Sequence, residues 1–148
     1  MYKRIMVAVD GSHTSELALQ EAVNLAKDLG AQVRIVHAVD EVTLNWDAEY
    51  ANPAEICQAM AQTGRDILHK AGTFAKEAGV TADTKLIEID TLGHRIPQAI
   101  ADEAEIWPAD LIVIGTHGRS GLSHVLLGSV AEGIVRVATK PVLLICGE

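Results

Sequence analysis

Leu111-Ile112-Val113-Ile114-Gly115-Thr116-His117-Gly118-Arg119-Ser120-Gly121-Leu122-Ser123-His124-Val125-Leu126-Leu127-Gly128-Ser129 decides how the rest of the chain is read. Its first four residues form an apolar run of the length of a strand buried on both faces, and glycines begin where that strand would leave its sheet. Beyond residue 129 Val130, Ile134 and Val137 recur at helical spacing, with Ala131, Val135 and Ala138 beside them. The stretch therefore reads as strand, long glycine-rich loop, helix. In an open parallel sheet, ligands bind at such carboxyl ends of strands.

The chemistry of this loop suits an anion. Gly115, Gly118 and Gly121 let backbone N–H groups approach a ligand with no Cβ in the way. Gly128-Ser129 stands at a helix start, where orphan amides and the positive end of the helix dipole face any phosphate. The Ser129 hydroxyl adds a donor. Arg119 is the permanent cation of the loop, placed either to offset phosphate charge or simply to be solvated. Competing phosphate motifs are missing: no glycine precedes Lys-Ser or Lys-Thr, and no G-x-G-x-x-G follows a strand.

Working outward, Ile5-Met6-Val7-Ala8-Val9 is a second apolar run ending at Asp10-Gly11-Ser12, a central strand followed by a turn with Ser12 or Thr14 as helix cap. Ala18, Ala22, Leu25, Ala26 and Leu29 then recur at helical spacing up to Gly30, a residue suited to the position just past a helix end. Val33 to Val39 is the next strand. The helix between the two makes their connection a parallel, right-handed crossover. Residues 40–53 show no period and read as a loop or short irregular element. Ile56, Met60, Thr63, Ile67, Ala71, Phe74 and Ala78 predict one face of a long helix ending at Gly79. That pattern outweighs Gly64 and Gly72, each of which costs about 1 kcal/mol relative to Ala. Leu86-Ile87-Glu88-Ile89 predicts a shorter third strand whose charged flanks place it at an edge. Pro97 to Glu105 fits a helix with proline in its first turn, closed by Pro108, and Pro141 introduces a last strand, Val142 to Ile145. Five strands thus alternate with four helices in one α/β domain, residues 1–148.

Composition agrees. A chain of 148 residues buries roughly 70% of its unfolded surface as a single domain. With 49% hydrophobic but only 3% aromatic residues the core must be aliphatic, as in a parallel sheet under helices. A net charge of −8 opposes nucleic acid or anionic membrane as partners, because both require clustered Lys and Arg. Cys57 and Cys146 lack metal spacing, and the histidines at 13, 37, 69, 94, 117 and 124 form no H-E-x-x-H or Cys/His cluster, so no metal-ligand set is expected. His37, on a buried strand, reads as a satisfied core histidine, His117 as a loop donor, and Trp46 and Trp107 as local packing. No leader pattern opens the chain and no apolar run approaches the ~20 residues of a membrane helix, so the cytoplasm is the expected location.

The spacing of Gly115, two residues, Gly118, nine residues and Gly128-Ser129 resembles the nucleotide-binding signature of the ATP-binding branch of the universal stress protein family. The likeness extends to Asp10 after the first strand, His37-Ala38-Val39 at the end of the second, and Lys140-Pro141-Val142 opening the last. It implies a doubly wound, Rossmann-like five-stranded parallel sheet of order 3-2-1-4-5 with helices on both faces, the adenine nucleotide alpha hydrolase-like arrangement. It also implies ATP with Mg²⁺ or Mn²⁺ as ligand. The nucleotide contacts it implies are Ala8, Val9, Asp10, Ala38, Ile114, Gly115, His117, Gly118, Arg119, Gly128, Ser129 and Val130. The base would meet backbone around Ala8, Val9 and Ala38, and Asp10 would lie near the nucleoside, accepting ribose hydroxyls or holding a hydrated divalent ion. Read from the residues alone, Asp10 is equally a turn former. The resemblance further implies a homodimer paired through Val142 to Ile145, whose edge nothing downstream would cover. Two departures from the family pattern affect the third helix: residues 91–96 are longer than the customary turn, and Trp107-Pro108 replaces a glycine.

The function this resemblance implies is that of an ATP-binding universal stress protein acting as a nucleotide-dependent regulatory homodimer. ATP would order the 116–127 loop and change what a further regulatory protein partner meets. Hydrolysis would be slow at most, since phosphoryl transfer needs a group positioning the attacking water and charges clamping the γ-phosphate, and neither is evident. The alternatives are an ATP-dependent enzyme, either an ATPase or an adenylyl transferase, and a nucleotide-free structural dimer indifferent to ATP.

Overall fold

Ile5, Met6 and Val7 are completely buried because their strand has a neighbour on each side and helices above and below. The computed structural model describes residues 1–40, 53–89, 93, 95–117 and 127–147. Among them alternate β1 (Arg4–Ala8), α1 (His13–Leu29), β2 (Gln32–Asp40), α2 (Pro53–Glu77), β3 (Ala82–Ile89), α3 (Ile96–Ile106), β4 (Leu111–Gly115), α4 (Ser129–Val137) and β5 (Val142–Ile145). Every pairing is parallel and the order is β3-β2-β1-β4-β5, as the family resemblance implies. Alternate residues of each strand serve opposite faces. Val7, Ile35 and Val113 pack under α1 and α2, whereas Met6, Val36 and Ile112 pack under α3 and α4.

Three readings need correction in detail. β3 is not short: it pairs with β2 over eight residues, from Val33↔Ala82 to Asp40↔Ile89. Its polar first half concealed it, and it is held by Arg34, whose guanidinium meets Asp83 at 2.8 and 3.0 Å and Glu103 at 2.8 Å while lying 5.1 Å over Trp107. The bonds to Asp83 keep Arg34 still more firmly protonated. On α1 the buried stripe includes Leu19 and Val23, and Leu29 is exposed. On α2 the buried face is turned by about one residue from the predicted one. Ala61, Gly64, Leu68, Ala71 and Ala75 face inward, while Thr63 and Phe74 are exposed. Small residues, not the largest apolar ones, line the contact. A Cβ at Gly64 would stand 2.7 Å from His37 Cδ2 and 2.8 Å from a Leu86 methyl, so the helix reaches the sheet only because that position is glycine.

Trp107 ends α3 with φ −86° and ψ 11°, a conformation open to any residue, which explains how the chain dispenses with a glycine there. Asp110, just before β4, ties that strand to β1: the N–H groups of Lys3 and Arg4 donate to its Oδ2 at 2.8 and 3.0 Å. Those two bonds favour the ionised form and hold the Asp110 carboxyl below the usual range. Because the folded value is the lower one, the stabilisation is complete above the unfolded value of about 4 and is lost as pH falls below it. Asp110→Ala should therefore lower the urea midpoint at neutral pH, and the gap to wild type should close as the titration is repeated in acid. Among the described residues no helix is long and apolar enough to cross a membrane.

Candidate functional site at the strand switch point

β1 and β4 lie side by side, yet the chain leaves β1 for β2 on one side and β4 for β5 on the other. A crevice must open where their carboxyl ends diverge. A cavity of about 240 Å³ lies there.

Its first wall is the turn out of β1. The Asp10 carboxylate accepts the Ser12 N–H at 2.9 Å, Gly11 takes φ +83°, and Ser12 caps α1 by accepting the Ser15 N–H at 3.2 Å. Of the two cap candidates, then, Ser12 serves and Thr14 does not. Asp10 is a turn former that also lines the cavity, so its two readings are compatible. The second wall is the end of β2. His37 Nδ1 lies 2.8 Å from the Val9 carbonyl, which can only accept, so that nitrogen carries the proton. The Val9 N–H is already given to Val36 at 2.9 Å, which leaves little of the Val9 backbone for a ligand.

The third wall runs from Ile114 to His117 and the fourth is the first turn of α4. Thr116 joins them. Its N–H donates to Ile145 at 2.9 Å, its carbonyl accepts the Gly128 N–H at 2.6 Å, and its hydroxyl lies 3.0 Å from His117 Nδ1. The Gly128 amide, expected from sequence to face a phosphate, is therefore engaged internally. Gly128 is instead the N-cap of α4 and has no side chain to satisfy the turn that follows. The N–H groups of Ser129, Val130 and Ala131 precede the first bond of the helix, from the Glu132 N–H to the Gly128 carbonyl, and all three residues line the cavity. A glycine cap leaves these donors, and the positive end of the dipole, open to a ligand.

Of the residues expected at the site, Ala8, Val9, Asp10, Ala38, Ile114, Gly115, His117, Gly128, Ser129 and Val130 line this one cavity. Gly118 and Arg119 lie outside the described residues. Ser15, His37, Ile96, Ile100, Thr116 and Ala131 complete the lining without having been expected there. Ile96 and Ile100 carried a signal, being one turn apart on α3, but nothing in the sequence says that this turn overhangs the sheet. Among the described lining residues Asp10 is the sole carboxylate and there is no Lys or Arg. No group of three or more His, Cys, Asp or Glu among the described residues is placed to hold a metal ion.

Gly133 fixes how α4 is seated. A Cβ there would stand 2.4 and 2.7 Å from ring carbons of Pro97, the residue between the two cavity isoleucines' first turn and α4. The pyrrolidine ring cannot rotate aside. Gly133→Ala should cost about 1–3 kcal/mol, measured as a drop in the urea midpoint at unchanged slope.

The profile of the universal stress protein family matches residues 1–145. The chain belongs to the universal stress protein family. Universal stress protein MJ0531 of Methanocaldococcus jannaschii is 36% identical over 151 positions, covering 98% of this chain and 82% of its own. The universal stress protein of Archaeoglobus fulgidus in complex with dAMP superposes with a TM-score of 0.68 at 28% identity, covering 97% of this chain and 98% of its own. A universal stress protein in complex with cAMP superposes with a TM-score of 0.69 at 26% identity, covering 98% of this chain and 97% of its own. Those two structures each hold an adenine nucleotide.

Proposed function

We propose that this universal stress protein binds an adenine nucleotide, ATP, at the switch-point cavity and uses it as a conformational signal rather than as a substrate. The observation that carries this reading is the glycine-capped start of α4, whose first three amides precede the helix's own hydrogen bonds and whose residues line the cavity. A phosphate satisfies them and is favoured by the dipole. Ala8, Ala38 and Ile114 line this cavity and would give the base an apolar wall, and Asp10, also in the lining, would accept the ribose hydroxyls. The dAMP and cAMP of the two relatives supply adenine and one phosphate. The further phosphates of ATP fall to Gly118 and Arg119 on the glycine signature. A Mg²⁺ or Mn²⁺ ion fits only loosely: Asp10 is the one carboxylate in the described lining and one of its oxygens is engaged by Ser12, so such an ion would rest mainly on phosphate oxygens and water.

The regulatory form we propose is a cytoplasmic homodimer. β5 is an edge strand whose four residues are half-buried, and Val135 and Val137 of the adjoining α4 are 48% and 38% exposed. A second copy pairing along β5 would cover them.

Heat release and mass spectrometry of freshly purified protein tests the ligand. Co-purified ATP, or a thermal shift with ATP and Mg²⁺ that adenosine alone does not produce, is expected. Protein that emerges empty and is unmoved by any adenine nucleotide refutes the reading in favour of a structural dimer. Rapid turnover abolished by changing Asp10 or Ser129 would make it an enzyme instead.

A further inference from the structure

The last strand does more than complete the sheet. Ile145, its final residue, gives its carbonyl to the Thr116 N–H at 2.9 Å, and Thr116 in turn receives the Gly128 N–H at 2.6 Å. Two bonds therefore connect the end of β5 to the cap of α4, whose first turn lines the cavity. A second link runs through Thr14 in the first turn of α1. A Cβ on Gly147 would stand 2.6 Å from Thr14 Oγ1, and a Cβ on Gly115 would stand 2.6 Å from Thr14 Cγ2 and 3.1 Å from its backbone carbonyl carbon and oxygen. Thr14 is thus wedged between the end of β4 and the tail that follows β5. It stands between Ser12 and Ser15, which carry the Asp10 turn.

Two walls of the cavity thus meet the end of the chain after β5: the start of α4 is bonded through Thr116 to Ile145, and the Asp10 turn adjoins Gly147 through Thr14. We propose that Ile145, Cys146 and Gly147 form a positioning segment of the nucleotide cavity, acting through Thr116 on α4 and through Thr14 on the Asp10 turn. This rests on the proposed nucleotide reading. By linkage, whatever displaces the tail weakens nucleotide binding, and nucleotide binding in turn steadies the tail. A strand pairing along the outer edge of β5 is then sensed in the cavity through bonds already formed within one protomer.

The test uses the full chain, ATP as probe, and the variants Gly147→Val, Thr14→Ala and their combination. Gly147→Val should weaken ATP binding about five- to tenfold in calorimetry on the folded fraction. With Thr14 reduced to Ala its Oγ1 is gone and the nearest remaining Thr14 atom, Cβ, is at an ordinary 3.4 Å, so the valine should cause no further loss. In wild type the Gly147 amide resonance, which belongs to no lining residue, should shift when ATP is added, and this decides the matter if Gly147→Val does not fold. Equal ATP affinity of Gly147→Val and wild type, an effect of the valine that persists without the Thr14 side chain, or an unmoved Gly147 resonance at saturation would overturn the proposal and leave the nucleotide reading intact. Absence of ATP binding in wild type would overturn both.

Discussion

Gly115→Val is expected to lose roughly 10- to 100-fold in ATP affinity and to be less stable by about 1–3 kcal/mol or more. Gly115 sits at the end of β4, opposite Ile145, and its missing side chain is the space that Thr14 occupies. A rotamer change could move the Thr14 methyl, but it cannot move the Thr14 carbonyl carbon and oxygen, each only 3.1 Å from the new Cβ. The first turn of α1 must therefore retreat from β4, carrying Ser12, Ser15 and the Asp10 turn with it. One substitution then acts on two quantities that separate experimentally: urea unfolding reads the strain, and calorimetry on the folded fraction reads the displaced wall. A variant that is less stable yet binds ATP as wild type does would show that the turn is no part of the ligand's surroundings.

Ile134→Ala is expected to cost about 2–5 kcal/mol, the range for a large aliphatic side chain removed from a fully buried site. Ile134 has no exposed surface and seats α4, whose first turn lines the cavity, in the cluster that includes Met6, Ile100 and Ile112. For a chain of this length the loss corresponds to a fall of roughly 5–15 °C in melting temperature. ATP should recover part of it, because a ligand that binds only the folded chain stabilises in proportion to its saturation. A melting temperature within a degree or two of wild type would mean that α4 is not seated on this core.

The architecture was legible because its signals are redundant. β1 and β4 are unbroken aliphatic runs, Gly30 and Gly79 mark helix ends with φ +66° and +83°, and each crossover is long enough for a helix. What was less legible depends on partners distant in sequence. β3 has polar residues through its first half, and only Arg34 on β2 gives Asp83 a reason to lie there. The inward face of α2 is chosen by how near the helix must come to His37 and Leu86, and a pattern of large residues is blind to contacts made by glycine and alanine. At the site the same division holds. The glycine signature pointed at the strand end where the cavity lies, but the reasons differ position by position: Gly115 makes room for Thr14, Gly128 caps α4 without a side chain, and the amides that precede the helical ladder belong to the residues after it. Thr116, which holds β5, β4 and α4 together through its backbone, has no sequence signature because any residue supplies those two groups.

The central claim is that the main-chain amides of Ser129, Val130 and Ala131 take the phosphate of an adenine nucleotide. The most direct measurement is an amide NMR titration of the ¹⁵N-labelled protein with ATP and, in parallel, with adenosine. The account predicts large shifts of these three amides with ATP and little change in them with adenosine. Saturable ATP binding that leaves all three in place, or moves them equally with adenosine, would contradict it.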